Sequence, residues 1–333
     1  MQLQGLKRGL RAPALLLAAG MAAAAPQPPR RVGRRVGPSL VTTMAVLLAS
    51  GAGAAAAPLP PRRVLSWLVP YENITSVDGY RAAWAQWGAA GARAGPGFMV
   101  AGSAFALKPD GSFGYASTTA GEALYGTVME QYGFPALRAM KLPTLAMVYF
   151  THFSGIAIVV KNPAPFIAAC VNATLANGLQ GVDLDYEPQT VALHGLEAPV
   201  TAFFAALANA LAAHGLLLTI DVGPGCGAGT DCTALAGIAN LTQVNTEDAF
   251  NINDVAAFTS VVQADLPALG AAKWAPGFEP GNLGVDAFAS VLQYAAASAT
   301  GVRNIATWAV HESNVGPQPE ALFDALVAFV TAP

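Results

Sequence analysis

The chain has 333 residues, 54% of them hydrophobic and only 11% charged, enough apolar material for a large buried core and the wrong balance for a disordered protein. Seven of its 17 basic residues, Lys7 to Arg35, lie before position 58 and ahead of the first acidic residue, Glu72; the remaining ten face 20 acidic residues, a formal charge of about −10. A body of that sign argues against nucleic acid as a partner, because phosphate contacts need a basic surface, and is compatible with neutral sugars.

Two apolar stretches, 12–25 and 40–57, each follow basic residues, and both are short for a membrane span. Arg30 to Arg35, the apolar run from Leu40 and the small residues up to Ala57 have the order of a secretory leader, so residues 1–58 are expected to be a cleaved or disordered targeting segment of a secreted or lumenal protein. The doubled arrangement also suits a bipartite targeting signal, an uncleaved anchor or an upstream start codon. The sequons at Asn73, Asn172 and Asn240 fit a secreted glycoprotein.

Beyond the leader, residues 59–333 alternate short β-rich runs with longer amphipathic ones, the pattern of parallel strands covered by helices. Eight strands are predicted, at 64–69, 98–107, 144–150, 181–186, 216–222, 241–245, 273–278 and 302–308. Helices are predicted between and after them at 163–177, 199–214, 255–266, 285–298 and 319–330. Eight such units over about 270 residues favour a single (β/α)8 TIM barrel over an open doubly wound sheet. Cys226 and Cys232 flank a Gly-rich loop and are able to pair in an oxidising compartment; Cys170, in an apolar helical segment, reads as a small buried hydrophobe.

The fourth predicted strand and the residue after it read Gly181-Val182-Asp183-Leu184-Asp185-Tyr186-Glu187. Side chains alternate along a strand, so Asp183, Asp185 and Glu187 share one face and Val182, Leu184 and Tyr186 the other. In a barrel the acids then point inward and end at the carboxyl rim, where barrel active sites are built. Neighbouring acids on one face lie roughly 6–7 Å apart, and ionising all three in a partly dry interior is costly, so a proton is expected to stay, and to stay on Glu187. A protonated carboxyl near neutrality is a general acid able to protonate a leaving-group oxygen.

These residues resemble the fourth-strand signature of family 18 glycoside hydrolases, the chitinase family, whose core Asp-x-Asp-x-Glu is complete here. The resemblance implies retaining, substrate-assisted cleavage of β-linked N-acetylglucosamine glycans. Glu187 would be the acid/base, Asp185 the partner of the substrate acetamido group, and Asp183 the residue that tunes Asp185. Ser103-Ala104-Phe105-Ala106-Leu107 resembles the second strand of that family, and Thr307-Trp308-Ala309 its eighth, whose Trp floors the sugar subsite.

The chain departs from the pattern at Gln180, at Pro188, and at Tyr149-Phe150-Thr151-His152 in place of a Ser-x-Gly-Gly element. It departs again at Asn245-Thr246-Glu247-Asp248 in place of Met-x-Tyr-Asp, which removes a Tyr that helps hold the acetamido group. Trp308, Tyr186, Glu247, Asp248, Glu279 and Trp67 are the substrate-contact candidates. Two other functions stay open: a catalytically silent carbohydrate-binding barrel, and a barrel glycosidase for another sugar.

No cofactor is implied, and His152, His194, His214 and His311 lack metal-ligand spacing. No Gly-x-Ser-x-Gly elbow supports a serine hydrolase. An oligosaccharide or polysaccharide is the expected partner of a monomer, with no stable membrane partner.

Overall fold

The computed structural model describes residues 61–71, 73–116, 125–188, 193, 195–226, 230–252, 254–280, 284–297, 300–308 and 319–333. The expected leader, His194, His311 and the third residue of the Thr307-Trp308-Ala309 match lie outside them.

The described residues form nine strands: β1 (Arg63–Leu68), β2 (Phe98–Leu107), β3 (Phe113–Tyr115), β4 (Thr144–Tyr149), β5 (Gly181–Tyr186), β6 (Leu217–Val222), β7 (Gln243–Thr246), β8 (Trp274–Phe278) and β9 (Asn304–Thr307). All but β3 pair in parallel in the order β1-β9-β8-β7-β6-β5-β4-β2, and β1 also pairs with β2, which closes an eight-stranded barrel. The short β3, absent from the sequence reading, folds back antiparallel on the end of β2. With helices around the closed parallel barrel, the architecture is the expected (β/α)8 barrel.

The predicted helices run Ala164–Ala176, Glu197–Ala212, Val255–Leu269, Val285–Ala296 and Pro319–Thr331. The third passes Pro267, where the prediction ended it, because a proline in the last turn removes only one hydrogen bond of a helix already capped by the Asp254 side chain. Among the described residues no single helix is long and apolar enough to cross a membrane.

Alternation along the strands separates two cores. The outward set packs under the helices: Phe150, after β4, stacks on Phe203 at 5.0 Å between centroids, and Tyr186 meets Phe204 edge-on at 5.2 Å. The inward set begins apolar, with Leu65, Met99, Leu145 and Ala306 buried in the barrel. Towards the carboxyl ends of β5, β6 and β7 it turns polar, with Asp183, Asp185, Thr219, Asp221, Gln243 and Asn245 all buried. Gly181 opens β5 where the backbone of Leu217 on β6 comes closest: a Cβ there would lie 2.3 Å from the Leu217 carbonyl oxygen.

Candidate active site

A cavity of about 380 Å³ opens at the carboxyl end of the barrel. Its wall is Trp67 from β1, Met147 and Tyr149 from β4, Asp185 and Glu187 from β5 and its end, Asp221 from β6, Glu247 and Phe250 after β7, and Trp308 after β9. Among the described residues no Lys, Arg or His lines it. Trp67 lies 5.9 Å from Trp308 and 6.4 Å from Phe250 between ring centroids, so a cluster of three aromatic rings shares the cavity with four carboxyl groups.

Asp183 sits one layer deeper, fully buried, and is held rather than offered. The Trp67 indole Nε1–H donates to its Oδ2 at 2.6 Å, and the Thr219 hydroxyl donates to its Oδ1. Asp221 is anchored from the other side: Gln243 Nε2 donates to Asn245 Oδ1 at 2.6 Å, and Asn245 Nδ2 donates to Asp221 Oδ1. The second oxygen of Asp221, Oδ2, and Oδ1 of Asp185 are buried with no hydrogen-bond partner. Asp185 and Asp221 are register partners on adjacent parallel strands, so these two carboxyls stand side by side.

Burial without a countercharge dominates the electrostatics. It pushes Asp183 up, opposed by the hydrogen bonds from Thr219, Asp221 and Trp67. Asp185 is raised well above the carboxylate range by burial, then by repulsion from Glu187, Asp183 and Glu247. Asp221 is raised likewise by burial and by Asp183 and Asp185. Glu247 is pushed up to about 9, first by burial and then by its hydrogen bond to Glu187. Asp185 and Glu247, both hydrogen-bonded to Glu187, are thus carboxyls that the pocket raises above their ordinary range.

An acid whose folded pKa lies above its unfolded value withdraws stability as pH rises from the unfolded value, about 3.9, towards the folded one. Asp221→Asn keeps the acceptor for Asn245 and removes the buried charge. We expect it to stabilise the protein by roughly 1–3 kcal/mol at pH 8 and by little near pH 4, read from denaturant unfolding at both pH values. An equal effect at the two would separate the gain from the charge.

Of the predicted site residues, Glu187, Asp185, Glu247, Trp67 and Trp308 meet on this wall, with Asp183 beneath. Tyr186 is a correction: its ring is buried on the outer face against Phe204 and Phe150, since alternation turns residue 186 away from the acids on either side. Asp248 and Glu279 are not on the wall. Asp248 Oδ2 accepts from the Gly225 amide at 2.9 Å and ties the rim loop after β6, while Glu279 follows β8 and adds to the repulsion on Glu247.

Sequence reasoning missed Asp221, Met147, Tyr149 and Phe250. For Asp221 the signal was present, because Leu217, Thr219 and Asp221 alternate as the acids of β5 do. Tyr149 donates to the Ser103 hydroxyl at 3.0 Å. The structure pairs Cys226 with Cys232, Cα atoms 5.5 Å apart, and buries Cys170.

No family model matches the chain, and no curated protein does. Solved structures do. A chitinase from Chromobacterium violaceum superposes with TM-score 0.60 at 14% identity, over 82% of this chain and 100% of that one. The spore cortex-lytic enzyme SleL of Bacillus megaterium gives 0.59 at 10% identity, over 80% and 74%. The group IV chitinase of Ostrinia furnacalis in complex with allosamidin gives 0.56 at 12% identity, over 80% and 97%. At these identities the likeness establishes a shared fold, that of chitinase-type barrels.

Proposed function

We propose that the protein is a chitinase-like glycoside hydrolase acting on β-linked N-acetylglucosamine glycans, with Glu187 as acid/base. The observation that carries this reading is the position of Glu187, half-buried at the rim of a barrel strand that ends in a row of acids, and hydrogen-bonded to two carboxyls that burial and repulsion raise above their ordinary range. A proton reaches Glu187 along those hydrogen bonds and passes to the glycosidic oxygen, while Asp185 Oδ1, buried and unpartnered, accepts from the substrate acetamido N–H. No separate carboxylate nucleophile is needed if that acetamido group attacks its own anomeric carbon. Asp183, locked by Trp67 and Thr219, keeps Asp185 in place.

The chitinase-type fold supports the reading, as does the Ostrinia protein's complex with allosamidin. The test is incubation of the full chain with N-acetylglucosamine tetramers and hexamers and chromatography of the products; shorter oligomers with retained β-configuration are expected. Binding without products favours a second reading, a silent sugar-binding barrel, which the presence of Glu247 in place of the family's Tyr recommends. In either case Trp308→Ala is expected to weaken binding by roughly fivefold to tenfold through lost stacking, measured by titration calorimetry. Unchanged affinity would remove Trp308 from the sugar subsite.

A further inference from the structure

The pocket wall carries an excess of unanswered carboxyl oxygen. Asp185 and Asp221 are 6% and 3% exposed, each lines the cavity, and each leaves one oxygen, Oδ1 and Oδ2 respectively, without a partner. Their strand register sets them side by side, and the Gln243–Asn245 chain fixes Asp221 Oδ1, while Asp221 also bonds Asp183 beneath. An acetamido group has a single N–H, so it satisfies one of these two oxygens and leaves the other buried and unpaired. A primary ammonium has three N–H donors on one atom and reaches both. Trp67 and Trp308, 5.9 Å apart between ring centroids, line the same cavity, and aromatic rings favour a cation as well as the apolar face of a sugar. Among the described residues the His, Cys, Asp and Glu side chains form no cluster able to hold a metal ion, so the pattern suits a cation that donates hydrogen bonds.

We propose that this pocket takes de-N-acetylated hexosamine units, the ammonium seated between Asp185 Oδ1 and Asp221 Oδ2 and the ring against Trp67 and Trp308. The proposal rests on the pocket being a sugar site and names a second substrate class for it. A unit bound this way has no acetamido oxygen to attack its own anomeric carbon, so it is held as a competing ligand and is not cleaved at that position.

The titratable groups beside the two acids are Asp183 on β5, Glu187 just after it, Tyr149 on β4 and Glu247 after β7, with no cation among the described residues that line the pocket. Burial and mutual repulsion raise both Asp185 and Asp221, and an arriving ammonium favours their ionised form and so displaces a proton. Binding is therefore coupled to release of about one proton.

The experiment is calorimetric titration of the full chain at pH 6 with β-1,4-linked glucosamine tetramer and with its fully N-acetylated counterpart, in two buffers of different ionisation enthalpy, with the products analysed afterwards. We expect the free-amine tetramer to bind at least about tenfold more tightly and to release about one proton. Asp221→Asn, shown folded by its melting curve, should lose both the preference and the proton release; Asp185→Asn serves as a second test of the same seat. Equal or tighter binding of the acetylated tetramer, or amine binding without proton release, overturns the proposal. Cleavage of the acetylated tetramer without amine binding refutes this inference and leaves the hydrolase reading standing. Amine binding without any cleavage does the reverse, and no binding of either refutes both.

Discussion

Replacing Glu187 with Gln is expected to lower turnover of N-acetylglucosamine oligomers by about 10²- to 10⁴-fold while changing their affinity no more than severalfold. Gln has the size of Glu and keeps a carbonyl oxygen to accept from Asp185 and Glu247, so the wall retains its shape. What it loses is the oxygen that takes a proton from those neighbours and hands it on. Glu247 holds its proton up to about pH 9, so the wild-type rate is expected to persist above neutrality and fall as that proton leaves. Single-turnover kinetics with binding measured in parallel checks both statements. A variant that cleaves at the wild-type rate would remove Glu187 from the chemistry, whatever the fold.

How much of this was legible beforehand follows from which interactions are local. The row Asp183, Asp185, Glu187 lies on contiguous residues, and a period of two is enough to put it inside a barrel. The same period read along Thr219 and Asp221 would have added a fourth wall acid, but an apolar run ending in one Asp reads first as a buried strand with a polar end. Tyr186 could be assigned correctly only by keeping to the alternation, because its adjacency to Glu187 in sequence places it on the opposite face.

The remaining features depend on closure. Trp67 and Asp183 are 116 residues apart and become partners only when β1 and β5 face each other across the barrel. Asp248 and Glu279 sit just beyond strand ends, where loop geometry rather than periodicity decides direction, and neither lines the cavity. Repulsion along one strand was visible in the sequence, whereas the hydrogen bond between Glu247 and Glu187, made from two strands further round, was not.

Gly181→Val is expected to be the most damaging single change in the barrel: at least about 3 kcal/mol of stability, with activity falling in the fraction that still folds. Glycine inside a strand usually weakens it, and its presence marks a close backbone approach. At Gly181 the approach is extreme, since an added Cβ would meet the Leu217 carbonyl oxygen at 2.3 Å and its amide nitrogen at 2.8 Å, both backbone atoms that no rotamer change can move. The two strands would have to separate where Leu217 N donates to Gln180 O at 2.8 Å, which breaks the first rung of the β5–β6 ladder. That ladder sets the pairing of Asp183 with Thr219 and of Asp185 with Asp221, two and four residues further on. Denaturant unfolding gives the stability change, and the pH dependence of unfolding reports the site, because a displaced β5 relieves the repulsion that raises Asp185 and Asp221. Loss of stability with an unaltered pH dependence would mean the strand recovers its register above residue 181, and that the carboxylate row is positioned from its carboxyl end instead.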